Sequence, residues 1–138
     1  MGRFTDRICD FWDNAERLLE DQSKWSQATF GTDQERKPIG ALKHLAKEAI
    51  EAVDAVEADD RTAIEEEFAD CFLLLMDAAR RANLGGGDEL SHLEAIVKLS
   101  QKKMVINAAR KWPTPTSDEP VEHVRSPEIN APNEKLAS

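Results

Sequence analysis

Apolar residues recur along most of this chain at the three- to four-residue spacing of amphipathic helices, and turn-forming segments interrupt them at three places. The first interruption is SQATFGTDQERKPIG, which contains Gly31, Pro38 and Gly40, the second is Asp59-Asp60, and the third is a run of three glycines at 85–87. The pattern predicts an all-α, four-helix bundle with helices at about 4–27, 41–58, 61–83 and 88–112, the last ended by Pro113.

The segment after residue 112 differs in composition from the rest. It holds five of the six prolines and no aromatic residue, so it cannot form a core of its own. We expect residues 1–112 to form the domain and residues 113–138 to form an extended, Pro-rich C-terminal arm that is not a separate domain. This arm should lie against the body of the protein or against a neighbouring subunit.

Charge and cysteine content narrow the class of protein. A formal charge of −9 argues against a nucleic-acid partner, which requires a basic face. Cys9 and Cys71 fall at apolar helical positions, so we expect buried thiols in a reducing compartment rather than a disulfide. The sequence shows no signal peptide and no long uncharged apolar span, from which we expect a cytoplasmic protein with no membrane partner.

The third predicted helix carries acids inside an apolar run, EEFADCFLLLMD. Phe68 and Phe72 mark one apolar face, whereas Leu73 and Leu74 point the other way on the side of Asp70. A helix apolar on two sides should be covered on both, in the middle of a bundle or at a subunit interface, which predicts self-association. Asp70 should then be buried, and its charge requires a cation or several hydrogen bonds.

Two pairs of acids stand three residues apart on the second and third helices. Residues at i and i+3 are neighbours on a helix surface, so each pair presents its oxygens in one direction. A short turn between the helices could bring the pairs face to face around Mg²⁺ or Mn²⁺, which prefer oxygen ligands. On the second helix, acids that simply face water are the alternative. The four candidate metal ligands are Glu48, Glu51, Glu67 and Asp70.

The fourth helix offers three nitrogen-bearing side chains on one face, at i, i+4 and i+7. Cationic and amide groups in this arrangement suit the oxygens of a polyphosphate, although a solvated basic stripe near a helix C-terminus would look the same. These residues are Lys103, Asn107 and Arg110.

Aromatic residues and a histidine precede the candidate metal ligands. Trp25 and Phe30 could stack on a nucleobase, or they could close the core at a helix end. His44 lies one turn before Glu48 and could donate to a substrate oxygen, or it could be a surface residue.

These motifs together resemble the all-α nucleoside triphosphate pyrophosphohydrolases, the MazG-like superfamily that includes dimeric dUTPases. The segments W-x4-FG, PIGALKHLAKEAIEA, EEFADCFLLLMDAARRA and KMVINAARKWP are similar to the phage dATP/dGTP diphosphohydrolases of the MazZ type, over about residues 20–113. Lys47 stands where many superfamily members have a second acid. The resemblance implies that Glu48, Glu51, Glu67 and Asp70 hold metal, that Lys103, Asn107 and Arg110 bind phosphates, and that the assembly is a tetramer of paired dimers.

The resemblance also implies a reaction. A metal-dependent enzyme of this kind would convert dGTP, with GTP and dATP as further candidates, to the monophosphate and pyrophosphate. It would serve nucleotide-pool control or a phage's supply of modified-base precursors, in the host cytoplasm if the chain is phage-encoded. Metal would lower the pKa of a bound water, and we expect Glu48, rather than Glu51, to accept the proton.

Three other functions remain open at this point. One is a dUTPase- or dCTPase-like pyrimidine triphosphate pyrophosphatase. Another is a non-enzymatic metal-binding bundle, although di-iron bundles usually add a Glu-x-x-His motif that this sequence lacks. The last is a helical scaffold whose acidic surface and Pro-rich arm recruit other proteins.

Overall fold

A computed structural model of the chain describes residues 2–87 and 89–125, most of them in four helices. The described residues contain no strand, which confirms the predicted all-α fold. Each predicted helix is present, with ends within three residues of those expected. The helices are α1 at Gly2–Phe30, α2 at Ile39–Glu57, α3 at Arg61–Arg81 and α4 at Glu89–Ala109.

Local sequence explains where the helices meet their loops. Pro38 lies immediately before α2 with φ of −66°, a value suited to helix entry, so Gly40 lies in the first turn of α2 and its predicted place in the loop was wrong. Asp60 caps α3 by accepting a hydrogen bond from the Ala63 amide at 3.1 Å. After α3 the chain turns through left-handed backbone at Asn83 (φ 53°), where asparagine is better tolerated than most residues.

The C-terminus of α4 comes earlier than expected. The helix ends at Ala109, and the Arg110 amide donates to the Asn107 carbonyl at 3.2 Å, a tighter bond pattern that closes the last turn. Pro113 disfavours helical backbone at the residue before it, so the helix could not have continued much further.

The described residues divide into two compact units, with the boundary between Leu99 and Ser100. In the first, α3 packs against α2 and α1, and the buried apolar residues include Leu19, Met76 and Ala79. Within one chain α3 is covered on one side only: Leu73 and Leu74 are half-buried, whereas the opposite stripe is exposed. The described helices leave this stripe uncovered, so the prediction that α3 is covered on both faces within the bundle is wrong, whereas coverage at a subunit interface stays a prediction. The exposed stripe comprises Phe68, Phe72 and Leu75.

The second unit contains the end of α4 and the first part of the arm. Residues 111–125 form neither helix nor strand. Val124 donates its amide to the Lys111 carbonyl at 2.9 Å, and the ring of His123 meets that of Trp112 at a centroid distance of 5.6 Å. This part of the arm thus folds back on the residues from which it leaves. The rest of the arm, 126–138, lies outside the described residues, and packing of the arm against the body or a neighbouring subunit stays a prediction.

Both cysteines are free thiols, as expected. Cys71 is half-buried, but Cys9 is exposed, so its predicted burial was wrong. The apolar residues around Cys9 in the first half of α1, such as Phe11 and Trp12, are exposed as well. None of the described helices is long and apolar enough to cross a membrane.

Candidate metal centre and adjoining cavity

Three carboxylates from two helices converge on one point. Glu48 of α2 and Glu67 and Asp70 of α3 each offer an oxygen, and these oxygens lie within 4.8 Å of one another. The short turn at 58–60 makes this possible, because it returns the chain so that α3 packs against α2. The spacing of Glu67 and Asp70 places both on one side of α3. The structure therefore assembles the oxygen ligands that a divalent cation prefers.

Glu67 is the member of this cluster whose environment most needs a cation. Its Oε2 atom is buried and has no hydrogen-bond partner among the described residues. Burial raises the pKa of Glu67, and a hydrogen bond with Glu48 and the negative charge of that residue raise it further. The charges of Glu51 and Asp70 act in the same direction. A bound cation would satisfy the buried oxygen and offset the repulsion, so these residues fit a metal site.

The other groups on α2 pair with their neighbours one turn away. His44 Nε2 lies 2.6 Å from Glu48 Oε1, and Glu48 is only 9% exposed. Glu51 is not among the three mutually close carboxylates, although it was predicted to be; its Oε1 lies 3.4 Å from Lys47 Nζ, and the side chains of Lys47 and Glu51 are 70% and 45% exposed. Lys47 thus forms an ion pair with Glu51.

Asp70 is exposed, so its predicted burial was wrong. It opens onto a cavity of about 160 Å³ that is also lined by Glu48, Trp25 and Phe30, and solvent reaches it there. The acid that is buried on this side of α3 is Asp77, which is 5% exposed. The carboxylate that is buried and needs a cation is therefore that of Asp77, and the guanidinium groups of Arg80 and Arg81 supply the positive charge.

A buried polar network surrounds Asp77. Arg81 Nε donates to Asp77 Oδ2 at 2.9 Å, and Arg80 Nη2 donates to Asp77 Oδ1 at 2.5 Å. Gln22 of α1 also donates to Asp77 Oδ1 and accepts from Arg80 Nη1, at 3.1 and 2.7 Å. Arg80 and Arg81 are 7% and 8% exposed, so their charges are compensated inside the protein.

The same two arginines tie the loop between α1 and α2 to the core. Arg80 Nε donates to Asp33 Oδ2 at 3.0 Å, and Arg81 Nη1 donates to the carbonyls of Gly31 and Thr32 at 3.1 and 3.3 Å. Gly31 has φ of 103°, a conformation that favours glycine, and this turn directs its carbonyl to Arg81. The two arginines therefore hold the loop through its backbone carbonyls and through the side chain of Asp33.

The network predicts a loss of stability in acid. Burial alone would raise the pKa of Asp77, but hydrogen bonds from Ser26, Arg81, Gln22 and Arg80 lower it to about 2, from 3.8. A carboxyl group whose pKa is lower in the folded state stabilises the fold above pH 3.8 and loses that contribution as pH falls towards 2. We expect Asp77 to contribute about 2 kcal/mol at neutral pH. Urea unfolding between pH 6 and pH 2, with Asp77→Asn beside the wild type, measures this share.

A second, larger cavity of about 640 Å³ adjoins the first. The two share Phe30, His44, Leu74 and Asp77, and the larger one is lined in addition by residues of the α1–α2 loop and the start of α2. The rings of Trp25 and Phe30 meet edge to face at a centroid distance of 5.4 Å. The structure thus places Trp25, Phe30 and His44 beside the carboxylates; their binding of substrate stays a prediction.

The three residues predicted to bind phosphate lie in the second unit, on the last turns of α4 and just after it. Lys103 is exposed, and Arg110 Nη1 donates to Asn107 Oδ1 at 3.3 Å. The indole of Trp112 donates to the Asn107 carbonyl at 2.8 Å, which holds this end of the helix. Their role towards phosphates stays a prediction.

Comparison with known proteins identifies a family and a phage protein that are similar in sequence to this chain. The sequence profile of a family described as dATP/dGTP pyrophosphohydrolase matches residues 18–131. The chain belongs to this family. It is also 39% identical over 120 residues to the Eaa protein of Salmonella phage P22, a match that covers 86% of the chain and 33% of Eaa. The chain thus spans about a third of the length of that phage relative. No solved structure matches the chain.

The sequence did not lead us to predict two groups of residues beside the carboxylate cluster and its cavities. One is the arginine pair, for which a signal existed: Arg80 and Arg81 follow Asp77 by three and four residues, the spacing of intrahelical ion pairs. The other is the charged loop segment Glu35-Arg36-Lys37, which lines the larger cavity. Nothing in its sequence distinguishes it from an ordinary surface loop.

Proposed function

We propose that this protein hydrolyses purine deoxynucleoside triphosphates between the α and β phosphates, releasing the monophosphate and pyrophosphate with the help of Mg²⁺ or Mn²⁺. The observation that carries the proposal is the convergence of three carboxylate oxygens beside a cavity with aromatic walls. Membership of the dATP/dGTP pyrophosphohydrolase family supports it. We take dGTP and dATP as the substrates, with GTP as a further candidate, in control of nucleotide pools or in supply of modified-base precursors for a phage.

The residues of the site have different proposed roles in the reaction. Glu48, Glu67 and Asp70 would hold the metal, which when bound would lower the pKa of a water molecule and offset charge on the leaving pyrophosphate. Glu48 accepts the proton of the attacking water, and the contact of its Oε1 with His44 fixes its orientation. Phe30, which lines both cavities, offers a ring surface to the base, and Trp25, which lines the smaller one, contacts the part of the substrate nearer the metal ligands.

Three further side chains have proposed roles by resemblance alone. Lys103, Asn107 and Arg110 would bind the β and γ phosphates, and the donors of Arg110 suit bidentate contact with phosphate oxygens. Glu51, which pairs with Lys47, would join the metal ligands when the substrate brings in a second cation.

Turnover of a panel of triphosphates tests the proposal. The protein is incubated with dGTP, dATP, GTP, dUTP and dCTP, with Mg²⁺, with Mn²⁺ or with a chelator, and pyrophosphate and orthophosphate are measured separately. We expect pyrophosphate from the purine deoxynucleotides and none with the chelator. Preference for dUTP or dCTP would support a pyrimidine pyrophosphatase instead, and absence of hydrolysis with metal binding intact would support a non-enzymatic bundle.

Exposed apolar surface on α3 supports self-association as a dimer or tetramer. Phe68, Phe72 and Leu75 are 63%, 41% and 40% exposed, and they form one stripe along the helix that carries two metal ligands. We expect light scattering at micromolar concentration to give two or four times the mass of one chain, and Phe68→Glu to reduce it. A wild-type protein that remains a single chain under these conditions would contradict this proposal.

A further inference from the structure

The larger cavity has both charged and apolar residues in its lining. Phe30, Leu74 and Ile39 contribute apolar lining, whereas the loop before α2 contributes Glu35 and Arg36. Glu48 and Asp70 line the smaller cavity but not the larger one. Glu35 and Arg36 therefore line a different cavity from Glu48 and Asp70, and the two cavities are joined by the residues that line both.

The side chains of Glu35 and Arg36 are each held by a hydrogen bond to the backbone. The Thr32 amide donates to Glu35 Oε2 at 2.9 Å, and this bond is the largest of the effects that lower the pKa of Glu35. Glu35 is therefore ionised at neutral pH and can accept further hydrogen bonds, since a carboxylate has about four lone-pair sites. Arg36 Nε donates to the Phe30 carbonyl at 3.2 Å, and the positive charge of Arg36 further lowers the pKa of Glu35.

The loop itself is fixed by the buried network. Arg81 binds the carbonyls of Gly31 and Thr32, so the segment that presents Glu35 and Arg36 is anchored to α3 at its first two residues. Groups positioned in this way on a supported loop can discriminate between ligands, because little ordering is needed when the ligand binds.

The position of the metal ligands sets the direction in which a nucleotide would lie. If the phosphates are at Glu48 and Asp70, the nucleoside passes Phe30 and His44, which both cavities share, and the base enters the larger cavity. Its volume of about 640 Å³ is within the range of small-molecule sites. The edge of the base then faces the charged loop.

We propose that Glu35 and Arg36 select guanine over adenine: Glu35 accepts hydrogen bonds from the N1–H and 2-amino groups, and Arg36 donates to O6. This inference rests on the proposed triphosphate hydrolysis. Guanine presents donors at N1 and N2 beside an acceptor at O6, which matches a carboxylate next to a guanidinium. Adenine has an unprotonated N1, no amino group at C2 and a donor where guanine has O6. In the same position, the 6-amino group of adenine would face the donors of Arg36, and its unprotonated N1 would face the carboxylate of Glu35. Neither side chain would then have a hydrogen-bond partner on the base.

Three substrates separate the two contacts. Deoxyinosine triphosphate keeps O6 and N1–H but lacks the 2-amino group, and dATP lacks all three guanine features. We measure kcat/KM for dGTP, dITP and dATP with the wild type, with Glu35→Gln and with Arg36→Met. Glu65→Gln is the matched control, because Glu65 is an exposed glutamate paired with Arg61 that lines neither cavity.

The proposal predicts a distinct pattern for each variant. The wild type should favour dGTP over dITP by about tenfold, the worth of one hydrogen bond to a charged group. Glu35→Gln should bring that ratio close to one, whereas Glu65→Gln should leave it unchanged. Arg36→Met should lower the dGTP to dATP ratio and preserve the dGTP to dITP ratio, because both of those substrates carry O6.

Equal losses for all three substrates in both variants would overturn the proposal, since they would mean that the loop only supports the fold or contacts phosphates. Equal kcat/KM of the wild type for dGTP and dITP would also overturn it, and this comparison requires no variant to fold. Failure of the proposed function looks different: the wild type would then hydrolyse none of the three, and the base-reading role would fall with it.

Discussion

Replacing Asp70 with asparagine should lower kcat for dGTP by about a thousandfold or more, because metal-borne charge stabilisation of the transition state is worth several kcal/mol. The amide keeps the shape of the side chain but removes the charge that the cation needs. Asp70 is exposed and belongs to the three-carboxylate cluster, so the substitution should leave the fold intact. Steady-state release of pyrophosphate measures the effect.

Glu66→Gln is the matched control for this experiment. Glu66 lies on the same helix, is exposed and is not among the clustered carboxylates. It should retain activity close to that of the wild type, and circular dichroism should show the same helical content for both variants. An Asp70→Asn protein that turns over dGTP at the wild-type rate would remove Asp70 from the metal site.

Replacing Asp77 with asparagine should destabilise the protein by about 3 kcal/mol, because it leaves two buried guanidinium groups without their shared counter-charge. Both arginines are under a tenth exposed and donate to this carboxylate. A loss of this size is a large fraction of the 5–15 kcal/mol typical of a domain. Urea unfolding at pH 7 gives the free energy of unfolding for the variant and the wild type.

Two further variants sharpen this second prediction. Asp54→Asn changes an exposed acid on α2 and should alter stability by less than about 0.5 kcal/mol. Arg81→Lys keeps the charge but loses the bonds to Ser26 and the loop carbonyls, so it should fall between the control and Asp77→Asn. If Asp77→Asn proved as stable as Asp54→Asn, the network would not be a main support of the fold.

The periodic spacing of apolar residues was enough to predict all four helices, because that signal is local. Helix ends were less accurate where the deciding contact is a backbone bond near the terminus, as at Asn107 and Arg110. The convergence of Glu48, Glu67 and Asp70 was predicted as well, although the prediction included Glu51, which does not belong to the cluster. The convergence requires only the i, i+3 spacing and a turn of a few residues between two helices.

The rest depends on how the helices are rotated and on what lies next to them. The sequence pattern showed that α3 is apolar on two sides but not which side α1 and α2 would cover, so burial was assigned to Asp70 instead of Asp77. The pairing of Glu51 with Lys47 depends on the rotation of α2 in the same way. The loop at 31–38 approaches α3 through contacts between residues about 50 positions apart, such as Arg81 with Gly31, which no local pattern encodes.

Thermal unfolding with and without Mn²⁺, for the wild type and for Glu67→Gln, tests the central claim that the clustered carboxylates hold a divalent cation. A ligand that binds only the folded state stabilises it in proportion to the logarithm of its concentration. The wild type should therefore melt at progressively higher temperature as Mn²⁺ is added. Glu67→Gln should be at least as stable as the wild type without metal, because it relieves the repulsion at Glu67, and it should gain little from Mn²⁺. Equal stabilisation of both proteins by Mn²⁺, or of neither, would contradict the account.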